Sequence, residues 1–443
     1  MKLNNTYPAL MRMALPLMVG TFIQSIVMIT DAAFLSRFST LSFDASGNAG
    51  LIYVTLFMGL TGFGDAAQIV MARRAGEGKN NQVNGLMQSS LLINLLFGAL
   101  FFLVITFLIP GMLIDYSKSK PLAEEQISFL SVRSFGFFMA AIMLSMNAFF
   151  MAIGKTWVIM VSTLVFAFSN IILDWTLIFG AGSIPSMGIE GAALASVISE
   201  GIAILLMLII LLTSKEKEEF HLFSKLEIKV KSIFKLLRVG FPLLIQGFFA
   251  LATWTVFFIW IEQKSTYELT VSQNIRAVYF LAFVPIFGFG ATTKTYVAQY
   301  MSVDQPKLIG VTVKRIQLLT VLFLLLFFHG ALIYPEFLIR TINPEEVYVA
   351  DSARILQLIF GSILIFGFST PYFQTINGSG NTRITLFIEI ISIIAYLVFA
   401  YLFIKVWEWD IFSIWTVEYI YFGTIGLLSI LYLNLFNWRK KQY

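Results

Sequence analysis

Long apolar runs alternate with short polar breaks along the whole chain. About 20 apolar residues, rising ~1.5 Å each, cross the hydrocarbon core of a bilayer, and every one of these runs reaches that length. The pattern predicts an all-α integral membrane protein with twelve transmembrane helices. The predicted spans cover residues 13–36, 48–72, 86–114, 128–152, 157–180, 188–213, 234–262, 270–299, 309–334, 351–377, 383–406 and 410–437.

One break, 214–233, is long and strongly charged, and it falls at the middle of the chain. It predicts an N-terminal lobe at 1–213, a cytoplasmic linker at 214–233 and a C-terminal lobe at 234–443. An internal repeat supports the two lobes: Leu10, Arg12, Pro16, Leu17 and Phe22 recur as Leu236, Arg238, Pro242, Leu243 and Phe248 after a gap-free shift of 226 residues. Six spans per lobe give both lobes the same orientation, an arrangement typical of transporters.

Composition agrees with this class of protein and argues against others. The chain is 58% hydrophobic and 12% charged, whereas soluble proteins carry about 25% charged residues. With no cysteine and two histidines, disulfides, Cys metal sites and a Ser-His-Asp hydrolase are disfavoured. The sequence contains no Walker motif, which argues against ATP-driven pumping by this chain.

The net charge of +5 is better explained by membrane topology than by nucleic-acid binding. Lys and Arg concentrate in alternate breaks, which predicts that both termini are cytoplasmic in an inner or plasma membrane.

A few polar side chains lie inside the predicted spans, where a charged group costs roughly 2.5–3.5 kcal/mol at a helix centre. Asp31, Asn170, Asp174 and Ser196 fall at similar depth in the outer half of the N-terminal lobe. Asn170 and Asp174 are four residues apart and share one helix face. At the 226-residue shift their places are taken by Tyr396 and Ala400, and that of Asp31 by Phe257. This one-sidedness predicts a specialised site, although acids near helix ends also reach water as plain scaffold.

The residue types suit the binding of H⁺ or Na⁺. Burial and a neighbouring acid both favour protonation of a carboxylate, and Asn170 and Ser196 are expected to orient the carboxyls by hydrogen bonds. The same oxygens suit Na⁺ at Asp31 and Asp174, so the coupling ion stays open. Pro16 removes a backbone hydrogen bond and predicts either a moving hinge or a static kink in the first span.

Weaker candidates lie elsewhere in the spans. Aromatic and polar residues are expected to line a cavity for flat or cationic organic molecules through stacking and cation–π contact. These are Gln24, Gln246, Phe248, Trp254, Arg276, Phe280, Phe287 and Tyr372. Further polar candidates are Asn147, Ser199, Glu200 and Glu418.

Three segments carry a family resemblance: ALPLMVGTFIQSIVMITDAAFLSRFS in span one, ARRAGEGK after span two, and SNIILDWTLIFGAG with MGIEGAALASVISE across spans five and six. On them the chain resembles the MATE (multidrug and toxic compound extrusion) transporters along nearly its full length. The resemblance implies two six-helix lobes around a central cleft and cation-coupled antiport of small organic substrates by alternating access, without a cofactor.

Asp31, Pro16 and the Asn170–Asp174 pair look more like the DinF-like branch of that family. This implies that protonation of Asp31 bends span one at Pro16 to release substrate outward. Rival readings are a Na⁺-coupled exporter, a flippase for lipid-linked precursors, or a membrane enzyme or scaffold. The chain is expected to act as a monomer.

Overall fold

A computed structural model describes residues 3–116, 119–302 and 305–440, which are helical almost throughout. Within this part of the chain the only β-type pairing is one isolated bridge, between Ala181 and Ile184. The α-helices are α1 (Tyr7–Phe38), α2 (Thr40–Gly76), α3 (Asn81–Leu103), α4 (Ile109–Tyr116), α5 (Lys120–Arg133), α6 (Gly136–Ala152), α7 (Trp157–Phe179), α8 (Gly188–Thr213), α9 (Lys215–Glu219), α10 (Val230–Lys264), α11 (Thr266–Ser302), α12 (Pro306–Phe328), α13 (Gly330–Ile333), α14 (Pro335–Ile342), α15 (Glu346–Gly378), α16 (Thr382–Tyr401), α17 (Ile411–Ile414) and α18 (Val417–Leu435).

Short π-helical segments, Val104–Leu108 and Leu402–Val406, extend α3 and α16. Counting such extensions, the described residues hold eleven helical stretches that are long and apolar enough to cross a membrane. They become twelve when α5 and α6, which meet at a 44° bend, count as one span. The predicted all-α membrane fold is confirmed.

Two predicted boundaries are wrong, and both errors have a local cause. The break after span one is much shorter than predicted, because Ser39 caps a helix that begins at Thr40: the Ser42 amide donates to the Ser39 hydroxyl at 3.3 Å. The predicted span 128–152 is not one straight helix. Its helix begins at Lys120 and bends between Arg133 and Gly136.

The chain divides into two compact units. One runs from Leu15 to Leu244, and the other comprises the described residues up to Ala14 together with those from Ile245 onward. The divisions fall inside α1 and α10, so these helices contribute to both units. The lobe boundaries expected from the sequence, 1–213 and 234–443, stay a prediction.

Each unit has its own apolar interior. In the first, α2 packs on α3, α5 and α6, while α7 packs along α8. In the second, α15 packs on α11, α12 and α18 around a core of large buried side chains. That core includes Phe257, Tyr279, Phe328, Tyr396 and Trp415.

Candidate functional site

The turn between α7 and α8 fixes the helices that carry most of the predicted site residues. Gly180 adopts φ +83°, a left-handed conformation that favours glycine. The Met187 amide donates to the Leu177 carbonyl at 2.8 Å, closing the turn. At Gly191 an added Cβ would lie 2.6 Å from the Leu177 carbonyl oxygen, so only glycine permits this close approach. The two helices are thus held tightly at one end.

Asp174 on α7 and Asp31 on α1 come together in the first unit. Their carboxyl groups lie within hydrogen-bonding reach of each other. Asp174 is fully buried, and neither of its oxygens receives a hydrogen bond from a donor group elsewhere in the described chain. Two ionised carboxylates repel each other, and a hydrogen bond between them requires a proton on one. A proton or another cation between the two carboxyls would remove that repulsion.

The expected orienting groups are placed less simply. Asn170 is fully buried one turn from Asp174, yet neither atom of its amide has a hydrogen-bond partner among the described residues. Ser196 is half-buried on α8, four residues before Glu200. Ser199 is buried, and its hydroxyl has no partner within the described ranges. Both polar atoms of the Asn170 amide, one turn from Asp174, are thus left without partners in the described part of the chain.

Glu200 pairs with a residue that the sequence reasoning missed. Arg133 Nη2 lies 2.6 Å from Glu200 Oε1, and Arg133 Nη1 lies 3.2 Å from Glu200 Oε2, a two-pronged contact. Both side chains are largely buried, with exposures of 14% and 12%. The Arg133 guanidinium also covers the ring of Tyr53 at 4.1 Å from its centre, and its charge acts on Asp31. A compensated ion pair therefore stands beside the acid pair.

The bend between α5 and α6 makes room for this guanidinium. An added Cβ at Gly136 would lie 2.0 Å from Arg133 Nη1 and 2.7 Å from the Tyr53 hydroxyl. The signal for Arg133 was present in the sequence as an arginine inside the predicted span 128–152. A charge within a span marks a candidate site and calls for a partner. The bend that turns Arg133 toward Glu200 is a tertiary feature without a sequence signature.

A second buried acid, Glu418, lies in the other unit and has a different environment. Tyr279 donates its hydroxyl to Glu418 Oε2 at 2.7 Å, and Tyr396 donates to Oε1 at 3.1 Å. Trp254 also hydrogen-bonds to this carboxyl. Each of the two carboxyl oxygens of Glu418 thus accepts a hydrogen bond from a tyrosine. Phe257, which occupies the repeat position of Asp31, packs on Tyr396 and Trp415 with ring centres 5.6 and 5.5 Å apart.

The aromatic cavity candidates are only partly brought together. Trp254 contacts Phe280 at 6.4 Å between ring centres, and Phe283 links Phe280 to Phe287 at 6.3 and 5.5 Å. The Phe248 ring instead lies against that of its neighbour Phe249, with the ring centres 5.9 Å apart and the planes tilted by 58°. Two other candidates contact residues outside this aromatic group. The Tyr372 hydroxyl donates to Gln317 Oε1 at 3.3 Å, and the Arg276 guanidinium lies 4.9 Å from the centre of the Phe258 ring.

The polar candidates near the middle of the predicted spans differ in their exposure to the surface. Gln24 is exposed on α1. The side-chain oxygens of Gln246 and Asn147 are buried without a hydrogen-bond partner among the described residues. Pro16 lies inside α1, which continues on both sides of it to Phe38. The predicted hinge position is therefore within one unbroken helix.

These features define a class of protein: a polytopic membrane protein with two related halves and acids buried inside its spans, and two repeated halves are the organisation of many secondary transporters. A model of the MatE family matches residues 16–176 and again 242–402, and both ends of the second match lie 226 residues after the first. The chain belongs to this family. It is therefore a transporter rather than an enzyme, and the internal repeat is confirmed.

Relatives and solved structures agree. A Thermotoga maritima protein named "Probable multidrug resistance protein NorM" is 26% identical over 95% of this chain and 91% of that protein. A solved outward-facing multidrug resistance MATE transporter of the MOP superfamily superposes with TM-score 0.87 at 17% identity, covering 98% of this chain and 96% of that one. A MOP superfamily transporter from Pyrococcus furiosus gives TM-score 0.84 at 18% identity, covering 96% and 94%. These likenesses support the two-lobe fold.

Proposed function

We propose that this protein is a cation-coupled antiporter that exports small organic compounds, often cationic or amphipathic, by alternating access. The single observation that carries the coupling proposal is the contact between the Asp31 and Asp174 carboxyls, with no donor group supplied to Asp174 by the described residues. A buried carboxylate without a partner is costly. Binding a cation from solution removes that energetic cost, and release of the cation restores the cost. Ion binding at the pair would therefore shift the protein between its conformations.

The proton is the proposed coupling ion. A shared proton converts two repelling carboxylates into a hydrogen-bonded acid–carboxylate pair without any further ligand. One oxygen of the pair would carry the proton, and the positive charge of Arg133 would attract the negative charge that remains on the pair. The Arg133–Glu200 pair is already compensated, so it provides a fixed electrostatic background while the acid pair changes charge.

Sodium is the second candidate, and one observation favours it. The Asn170 amide has no hydrogen-bond partner among the described residues and lies one turn from Asp174. An amide oxygen and two carboxylates are hard oxygen ligands of the type that alkali and alkaline-earth cations prefer. Within the described ranges no group of three or more His, Cys, Asp or Glu side chains forms a metal site, so any Na⁺ site would rely on the amide and on backbone or water oxygens.

The exported compound is proposed from two sources. Relatives carry multidrug resistance names, and the linked rings of Trp254, Phe280, Phe283 and Phe287 offer faces for flat or cationic molecules. We further propose an inner or plasma membrane location with cytoplasmic termini, from the distribution of Lys and Arg.

The test is transport of ethidium by the purified protein in proteoliposomes, with a pH gradient and a Na⁺ gradient imposed separately. Proton coupling predicts that the pH gradient alone drives transport, and sodium coupling predicts that the Na⁺ gradient does. Asp31→Asn is expected to abolish gradient-driven transport. Asp44→Asn, which changes an exposed acid on α2, is the matched control and should leave it unchanged. Transport that ignores both gradients, or that survives in Asp31→Asn, contradicts the proposal.

A further inference from the structure

A cationic cavity of about 220 Å³ lies in the first unit, away from the acid pair. It is formed where the end of α2, the start of α3, the charged linker and the start of α10 meet. Four cationic side chains line it together with a single acid: Arg74, Lys229, Lys231, Lys235 and Glu227. None of these residues takes part in the proposed coupling site. The cavity therefore requires its own explanation.

The linker wall of this cavity is held by hydrogen bonds to two side-chain amides of α3. Asn84 donates to the Lys225 carbonyl at 3.1 Å and accepts from the Phe223 amide at 3.2 Å. Gln88 donates to the same carbonyl at 3.0 Å and accepts from the Glu227 amide at 2.7 Å. The linker backbone from Phe223 to Glu227 is thus fixed against α3, and the cavity is preformed.

Two glycine contacts complete the frame. At Gly85 an added Cβ would lie 2.6 Å from the Glu227 carbonyl oxygen, so glycine lets the linker lie directly on α3. At Gly240 an added Cβ would lie 2.6 Å from the Phe63 ring, so α10 runs close along α2. The second contact brings Lys235 toward the inner end of α2, where Arg73 and Arg74 are found.

The residues that line the cavity include four cations and one acid, so its lining carries a net positive charge. Glu227 pairs with Lys225 at 3.0 Å, and Glu77 is shared by Arg73, Arg74 and Lys79. Lys229 and Lys231 have no ion-pair partner in the described chain. Arg74, Arg73 and Lys79 repel the Lys235 ammonium, and Glu77 attracts it. An anion seated in the cavity would relieve this repulsion.

Exposed apolar side chains alternate with the charged ones along this segment. Leu226, Val230 and Phe234 are 81%, 67% and 68% exposed, and they flank Glu227, Lys229 and Lys231. Apolar side chains beside snorkelling cations are typical of the interface between headgroups and acyl chains. Basic pockets at the cytoplasmic ends of spans bind the headgroups of anionic lipids. A free phosphate ion would use the cations and leave the apolar side chains unexplained.

We propose that this cavity binds the phosphate group of an anionic lipid headgroup, with Lys229 and Lys231 as its principal cations and the neighbouring apolar side chains against the acyl chains. The bound lipid would tie the linker and the start of α10 to the bilayer surface. The proposal does not depend on the coupling ion or on the exported substrate.

The experiment measures the melting temperature of the purified full-length protein in detergent with added phosphatidylglycerol, phosphatidylcholine or inorganic phosphate. Phosphatidylglycerol is expected to raise it saturably, more than phosphatidylcholine does, and less so at high salt. The variant Lys229→Gln/Lys231→Gln should lose this increment. The matched control Lys215→Gln/Lys217→Gln, in the same linker but outside the cavity, should keep it.

Three results overturn the proposal: equal stabilisation by the two lipids, an unchanged increment in the cavity variant, or inorganic phosphate matching phosphatidylglycerol. The last would assign a free-phosphate site in place of a lipid site. If the glutamine variant fails to fold, Lys229→Glu alone replaces it and must also lose the increment, whereas Lys229→Arg must retain it.

Discussion

The two units each bury an acid, and the two acids have opposite hydrogen-bonding environments. Asp174 faces Asp31 and receives no hydrogen bond from any other described donor. Glu418 receives hydroxyl donors from Tyr279 and Tyr396. Tyr396 occupies the repeat position of Asn170. In the second half this position supplies a hydroxyl donor to Glu418, and in the first half it holds an amide without a partner among the described residues. A satisfied carboxyl rigidifies a core, whereas an unsatisfied pair has to take its partner from solution.

A second repeat position gives the same lesson. Tyr53 and Tyr279 are related by the 226-residue shift. The Tyr279 hydroxyl binds Glu418, while the Tyr53 hydroxyl has no partner in the described chain and its ring lies under Arg133. At the repeat position of Arg133 stands Ile359, a buried core residue. At this pair of repeat positions the first half thus carries a charged side chain and the second half an apolar one.

The largest effect is expected from replacing an acid of the pair. Asp174→Asn should abolish gradient-driven transport while the protein still folds, because an amide neither gains nor loses a proton. Glu418→Gln, a buried acid of the other unit, should retain transport. Ethidium transport in proteoliposomes, with folding checked by size-exclusion chromatography, measures both. If the two variants lose transport equally, the distinction between the acids is wrong.

The next effect is expected at the ion pair beside the site. Arg133→Gln leaves Glu200 buried without its cation and should lower the free energy of unfolding by about 3–5 kcal/mol. The double variant Arg133→Gln/Glu200→Gln should recover much of this loss, because no lone charge remains. Denaturant unfolding in detergent micelles measures the cycle. Simple additivity of the two single changes would show that the pair does not act as a unit.

A smaller effect is expected at the repeated tyrosines. Tyr279→Phe removes a donor from buried Glu418 and should cost roughly 1–3 kcal/mol of stability. Tyr53→Phe, its counterpart in the repeat, should cost less, because that hydroxyl has no hydrogen-bond partner among the described residues. Melting temperatures of the two variants in the same detergent provide the comparison. A larger loss in Tyr53→Phe would contradict the assigned environments.

The smallest effect is expected at an acid outside the spans that already has a cation. Burial raises the pKa of Glu216, but Lys155 and a backbone amide outweigh it and hold the pKa below its usual value. A lowered pKa means stability that is present above the usual pKa and is lost as pH falls through the folded value. The contribution should be at most ~1 kcal/mol, since the pair is partly solvated.

Glu216→Gln tests this contribution through its pH dependence. The melting temperature of the variant should lie slightly below that of the wild type near neutral pH, and the difference should shrink as the pH falls through the lowered pKa of Glu216 in the folded protein. Lys217→Gln, in the same short helix, serves as the control and should show no such convergence. A difference that grows as the pH falls would contradict the sign.

The number of helices could be predicted from the sequence, because a chain that crosses a bilayer as helices needs long apolar runs. The repeat could be predicted from residues that recur after 226 positions. The sequence does not predict the start of α2 at Thr40, because residues 37–47 read as a break between two spans, although one serine, Ser39, is enough to cap a helix there. The bend at Gly136 was missed because glycine in an apolar run does not specify a direction. The meeting of Asp31 with Asp174 could be expected from depth, but the absence of donors around Asp174 depends on every neighbouring helix.

The closed turn between α7 and α8 has a consequence for how the protein is assembled. Its contacts, from Leu177 to Met187 and from Ile178 to Ser186, join residues close in sequence. Such local contacts form early. We therefore expect Asp174 to be carried on a hairpin that forms by itself, whereas Asp31 lies on α1, more than 140 residues earlier in this sequence. Because the contact between Asp31 and Asp174 joins residues far apart in sequence, we expect it to form after the local contacts of the turn between α7 and α8.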